Sequence, residues 1–199
     1  MTPLDGIIFL FLGGINMSNF LKYMDLDDYL KIKNCDDLYL KSAVLARMLF
    51  RNKVDKSGNP YIGHLYRVSS SMTTYNGMIA GLLHDMVEDI PYITFDDLKD
   101  IGINDEIIKA LVLVTNEPDP NKKELSKQEK LEKYNKKIDN IINSGDDLAL
   151  ELKIADISDN YNAKRLSYLP LEKLIWFNSK YGKNIVKLKD ERGKRKKKC

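Results

Sequence analysis

The chain has 199 residues, 43% of them hydrophobic and 31% charged, a balance that excludes a disordered chain and gives enough length for one domain with a sizeable core. The formal net charge is +3, and the run Lys194-Arg195-Lys196-Lys197-Lys198 alone exceeds that excess, so the body is near neutral and charge implies no nucleic-acid partner. Cys35 and Cys199 belong to no CxxC pair and make no disulfide framework, which fits a reducing cytoplasm.

Residues 6–15, from Gly6 to Ile15, are apolar but too short for a bilayer span, which takes about 20 residues. Only Asp5 carries charge before them, where a signal peptide has cations. A packed N-terminal element, a weak membrane contact, or a leader over residues 1–16 ahead of a start at Met17 all fit, and the leader is the favoured reading. No membrane span is expected. From there the pattern is helix after helix. Leu26 to Leu30 is a short amphipathic piece. Asp36 to Arg51 places Leu38, Leu45 and Leu49 at helical spacing. Asp55 to Pro60 is turn chemistry, with Gly58 free to take positive φ. One helix is expected from Gly63 or His64 to Met72, and another from Asn76 to Asp89, stopped by Pro91. Thr94 suits an N-cap for Asp96 to Asp100, and Asp105 to Val114 is amphipathic. Lys122 to Ile142 reads as an exposed charged helix with Leu131, Tyr134 and Ile138 on its apolar face. Asp146 to Asn162 is a core helix, and Leu171 to Leu188 is the last. Residues 191–199 read as a disordered basic tail. With no alternating strands and no internal linker, the expectation is one all-α domain over residues 20–190.

The chemistry gathers around the histidines. The chain has 2, His64 after a stiff Pro60-Tyr61 turn and His84 in His84-Asp85-Met86-Val87-Glu88-Asp89. On a continuous helix His84 stands over Glu88 and Asp85 over Asp89. Asp156 lies in the apolar stretch Leu152-Lys153-Ile154-Ala155, one turn before Asn160. Each residue singly has an ordinary explanation: Asp156 pairs with Lys153 or Arg165, and Glu88-Asp89 is surface charge. Together they supply two imidazoles and several carboxylates, and burying these unpaired is costly unless a divalent cation joins them.

These segments resemble the HD-domain metal-dependent phosphohydrolases. Within that superfamily they are most similar to the hydrolase domain of the RelA/SpoT family and the stand-alone small alarmone hydrolases. The motifs are Lys56-Ser57-Gly58-Asn59-Pro60-Tyr61-Ile62-Gly63-His64, Leu82-Leu83-His84-Asp85-Met86-Val87-Glu88-Asp89, and Lys153-Ile154-Ala155-Asp156 with Asn160. The resemblance covers roughly residues 38–166 and implies a single compact HD-domain helical bundle. It further implies His64, His84, Asp85 and Asp156 as ligands of a divalent metal, usually manganese. Glu88 and Asp89 match the acidic pair that activates or orients the attacking water. Lys56, Ser57 and Asn160 match positions lining the nucleotide site. The implied reaction removes the 3′-pyrophosphate of guanosine tetra- or pentaphosphate. The alternatives are the same chemistry on another nucleotide or phosphate ester, or a nucleotide-binding regulatory module with weak turnover. Two positions depart from the pattern. Asp55 stands where the relatives carry a base-stacking arginine, and Asp159 precedes Asn160 where they carry histidine or tyrosine. Both departures bear on recognition of the base and leave the metal half intact.

Overall fold

The computed structural model describes residues 18–116 and 125–197. Short polar side chains open most of its helices by accepting otherwise unpaired amide hydrogens. Asp25 caps α1 (Leu26–Lys33), and Asp37 caps α2 (Leu38–Leu49) by accepting from the amides of Tyr39 and Leu40. Helix α3 is Ile62–Ser70, and Thr74 caps α4 (Tyr75–Leu83). The short α5 (Met86–Asp89) follows. Thr94 and Asp97 form a reciprocal capping box at α6 (Phe95–Asp100), as Ser126 and Glu129 do at α8 (Lys127–Ser144). Between these, Asn104 caps α7 (Asp105–Val114). Asp146 caps α9 (Asp147–Asn160), and α10 (Ala163–Leu166), α11 (Leu171–Phe177) and α12 (Lys183–Lys196) complete the chain. Among the described residues there is no strand; one isolated bridge, Val54 to Pro60, closes the turn in which Gly58 sits at φ +83°.

Helices α4 and α9 form the centre of the bundle. In α4, Ile79, Ala80, Leu82 and Leu83 are buried, and in α9 the whole run from Leu152 to Ile157 is buried. Helix α4 packs on α2, α3 and α7, while α9 packs on α3, α7 and α12. The closest approach is that of α3 to α4. A Cβ built on Gly81 would lie 2.6 Å from the Ser69 Cα and 2.7 Å from its amide nitrogen. Gly81 therefore lets the two backbones touch, and this contact brings the two histidine-bearing segments together.

Three expectations need correction. The helix expected from Asn76 to Asp89 is not continuous: α4 ends at Leu83, and α5 starts at Met86. The His84 side chain is the reason. Its Nδ1 lies 2.9 Å from the Gly81 carbonyl, which in an unbroken helix accepts from the amide of Asp85. The His84 carbonyl in turn accepts from the Thr115 hydroxyl at 3.4 Å. The helix expected over Leu171 to Leu188 is interrupted by a π-helical turn, Asn178–Gly182. Finally, residues 191–196 of the expected disordered tail continue α12. Arg195 holds them in place by donating to Asp147 at 2.8 Å, to Glu191 at 3.1 Å and to the Ile142 carbonyl at 2.9 Å. The expectations for residues 1–16 and for Cys199 lie outside the described residues. Cys35 is a free thiol. No helix among the described residues is long and apolar enough to cross a membrane.

Candidate metal centre

His64 enters from the first turn of α3, His84 and Asp85 from the break between α4 and α5, and Asp156 from the middle of α9. One donor atom each from His64, His84 and Asp85 lies within 4.8 Å of the others. Asp156 joins through the imidazoles: its Oδ1 is 3.5 Å from His64 Nε2 and 3.8 Å from His84 Nε2. Asp85 Oδ2 is 3.6 Å from His64 Nε2 and 3.1 Å from His84 Nε2. Both Nε2 atoms are buried, and neither has a hydrogen-bond partner.

The other face of each ring explains this orientation. His84 Nδ1 faces the Gly81 carbonyl, which only accepts, so Nδ1 carries the proton. His64 Nδ1 stands 2.7 Å from Asp159 Oδ2, with an Arg165 nitrogen further off at 3.2 Å, and a proton on Nδ1 satisfies the nearer carboxylate. In the neutral rings both Nε2 lone pairs then face carboxylates, an arrangement that a divalent cation reconciles and neutral protein groups do not. Without a cation the balance falls on protonation. Burial opposes charge on His64, yet the carboxylates of Asp159 and Asp85 raise its pKa. Burial likewise opposes ionisation of Asp156, but Lys153 and His84 outweigh it and depress its pKa. Asp85 is held well below the usual carboxylate range in the same way, by the imidazoles of His84 and His64.

A second layer of groups fixes the ligands. The Tyr61 ring stacks on Phe50 with centroids 5.4 Å apart, and its hydroxyl donates to Asp85 Oδ2. Lys153 Nζ is 2.8 Å from Asp156 Oδ2, and Asn160 Nδ2 donates to Asp156 Oδ1 at 2.5 Å. Asp159 accepts from Arg67 at 2.5 and 3.1 Å and also from Arg165. Arg165 then reaches Asp55 Oδ2 at 3.0 Å. The two departures noted in the sequence, Asp55 and Asp159, are thus the two carboxylates clasped by one guanidinium.

His84, Asp85 and Asp156 line a cleft of about 310 Å³, together with Glu88, Asp89, Lys56, Ser57 and Asn160. The two acids are held differently. Glu88 accepts from the Asn116 amide at 3.0 Å and from the Asn116 side chain at 2.8 Å and 2.9 Å. Asp89 pairs with Lys53 at 2.6 Å. Burial pushes the pKa of Asp89 up, and Lys53 only partly offsets this. The Asp85–Asp89 turn is real, since the Asp89 amide donates to the Asp85 carbonyl at 2.9 Å. The break leaves His84 outside that turn, so the expected stacking of His84 over Glu88 does not hold. Ser57 lines the cleft through a loop whose shape Asp55 sets, accepting from the amides of Ser57 and Asn59 at 2.8 and 3.0 Å. The pairing of Lys153 with Asp156 was one of two alternatives open in the sequence; Arg165, the other, binds Asp159 and Asp55 instead.

Sequence reasoning missed Tyr61, Lys53, Asn116, Arg67 and Lys180. Only Tyr61 gave a signal, as an aromatic fixed by Pro60 next to a candidate ligand. Lys53 and Arg67 flank the first motif, while Asn116 and Lys180 come from segments remote from the motifs.

Two imidazoles and two carboxylates thus meet inside an all-α bundle. No family model matches the chain. Its fold is similar to the solved structure of a metazoan ortholog of SpoT described as hydrolysing ppGpp and playing a role in starvation responses. The TM-score is 0.57 and the sequence identity 23%, over 81% of this chain and 97% of that one. This likeness establishes the fold, including the all-α bundle on which the motifs converge.

Proposed function

We propose that the protein is a metal-dependent phosphohydrolase acting on a phosphorylated nucleotide, with the 3′-pyrophosphate of guanosine 3′,5′-bis(diphosphate) as its substrate group. The observation that carries the reading is the pair of buried, unpartnered Nε2 atoms of His64 and His84, aimed at the carboxylates of Asp85 and Asp156 on the floor of the cleft. These four residues would hold the metal, and manganese suits a mixed set of nitrogen and oxygen donors. When bound, such an ion acts as a Lewis acid on a phosphoryl oxygen and lowers the pKa of water. The activity described for the metazoan structure fits the same chemistry.

The protein residues divide the remaining work. Asp89, with its pKa raised by burial, takes the proton of the attacking water. Glu88, fixed by three hydrogen bonds from Asn116, orients that water. Asn160 steadies Asp156 and so acts on the metal site before it acts on substrate. Lys56 and Ser57 face the nucleotide. A nucleotide substrate and the free thiol of Cys35 fit a cytoplasmic protein.

One observation favours a second reading, the same chemistry on a different nucleotide. Asp55 occupies the base-stacking position, and Arg165 beside it is tied to Asp55 and Asp159, so neither presents a free guanidinium to a purine. The test is a nucleotide panel with manganese, read by released phosphate and pyrophosphate. Pyrophosphate from guanosine 3′,5′-bis(diphosphate) is the expected result. Release from other nucleotides alone selects the second reading, and no release from any member rejects the hydrolase.

A further inference from the structure

The loop that carries Lys56 and Ser57 is joined to the metal centre by a chain of side chains that holding an ion does not by itself require. Asp55 uses its two oxygens differently. Its Oδ1 accepts from the amides of Ser57 and Asn59 at 2.8 and 3.0 Å and so fixes the turn. Its Oδ2 faces the Arg165 guanidinium, whose Nη2 lies 3.0 Å away. Nη1 of the same guanidinium donates to Asp159 Oδ2, the oxygen that His64 Nδ1 approaches at 2.7 Å. The Ser57 hydroxyl adds a weaker tie, 3.5 Å from the Arg165 carbonyl. Little of this chain meets water: the Asp55, Asp159 and Arg165 side chains are 3%, 10% and 16% exposed. An exposed ion pair can be lost with small effect, but a buried one is sensitive to either partner, because the charge left behind has nothing to pair with.

We propose that Arg165 is a positioning residue that makes metal affinity and the shape of the Lys56–Ser57 loop depend on each other. The inference rests on the metal-dependent phosphohydrolase reading and adds to it that the loop facing the nucleotide and the ligands of the metal are set as one unit. His64 offers Nε2 to the centre when Nδ1 keeps its proton and its acceptor, and both depend on Asp159 Oδ2. That oxygen is shared with Arg165, and Arg165 is shared with Asp55. A change of the loop that draws Asp55 away moves the guanidinium, and with it the carboxylate that orients His64. Linkage runs equally in reverse: an ion that favours one orientation of His64 favours the loop shape that goes with it. The planar guanidinium makes this possible, since its fork holds two carboxylates in fixed relation, which an ammonium on a flexible stem does not. The loop and His64 are also joined along the chain through Pro60 and Tyr61, where the Tyr61 amide donates to the Lys53 carbonyl at 2.8 Å. Coupling by that backbone route would not depend on Arg165, and this difference separates the two.

The test is a double-mutant cycle read as manganese affinity, by competition with a fluorescent chelator and without nucleotide. Asp55→Asn keeps an oxygen for the loop amides and removes the charge that faces Arg165. Arg165→Lys keeps the positive charge and removes the bridge between two carboxylates. Each single variant should weaken manganese binding about fivefold or more, the lower end of coupling between distinct sites. The double variant should bind no more weakly than Arg165→Lys, because Asp55 acts through that guanidinium. Hydrogen exchange of the segment over residues 54–60 reads the reverse direction and needs only Arg165→Lys. Manganese should slow exchange there in the wild type and leave it unchanged in the variant. Wild-type manganese affinity in Asp55→Asn overturns the linkage, and so do additive losses in the double variant or metal-dependent protection that survives in Arg165→Lys. A wild type that binds no manganese overturns both the linkage and the metal-dependent reading. Intact linkage in a protein that releases neither phosphate nor pyrophosphate from any nucleotide of the panel keeps Arg165 in this role and overturns the hydrolase reading alone.

Discussion

At the floor of the cleft each ionisable group is held by more than one partner. His64 lies between Asp159 and the carboxylates of Asp85 and Asp156, Asp156 is held by Lys153 and Asn160, and Asp159 by Arg67 and Arg165. Elsewhere on the wall of the same cleft, Lys56 and Lys180 lie against aromatic rings, and the buried Tyr134 hydroxyl has no hydrogen-bond partner. The floor is organised before any ligand arrives, as a centre must be whose donors have to meet one ion at fixed geometry. The wall carries unspent positive charge, which suits a group that arrives with the substrate.

The comparison can be broken from the floor first. Asp85→Ala removes a carboxylate shared by both imidazoles, so bound manganese and turnover should both fall to background; retention of metal in this variant would refute its assignment as a ligand. Glu88→Ala should keep the metal and lose about 10²–10⁴-fold in kcat, measured by pyrophosphate release beside metal content. Normal turnover there removes Glu88 from the mechanism. Asp159→Ala leaves the His64 Nδ1 without its acceptor and should weaken manganese binding about 10–100-fold, read by competition with a fluorescent chelator. A smaller effect would mean that Arg165 and Arg67 alone hold the loop.

The wall predicts a pH dependence. Lys180 has a depressed pKa of about 8, so it is a cation below that pH and neutral above it. Affinity for guanosine 5′-diphosphate should therefore decline as pH rises through 8, and Lys180→Arg should hold its affinity to higher pH. A flat profile in the wild type would detach Lys180 from the ligand. The smallest effect lies far from both regions. Arg195→Ala loses a half-exposed ion pair with Asp147 and should lower stability by about 1 kcal/mol or less, with unchanged turnover; denaturant unfolding checks it.

The difference between floor and wall is also a difference in legibility. His64, His84, Asp85 and Asp156 could be read because the chain has only 2 histidines and each candidate sits inside a short motif. Helix α7 emerged with its expected bounds, Asp105–Val114, and Thr94 as the expected cap, since caps and apolar spacing are local signals. The break at His84 was not legible. Every residue from Asn76 to Asp89 is compatible with a helix, and only the ring of His84 reaching the Gly81 carbonyl stops it. Asp55 and Asp159 read as separate departures because they stand 104 positions apart; in space Arg165 joins them.

By itself the sequence determined the all-α architecture and singled out the histidines and acids that the fold brings together, because periodicity, caps and motif spacing act over a few residues. Only the tertiary structure decided which nitrogen of each histidine faces the centre, which arginine clasps the two acids, and that Tyr134, read along the chain as an apolar-face residue, buries a hydroxyl without a hydrogen-bond partner. Those outcomes depend on partners brought together from different helices, and no local spacing records them.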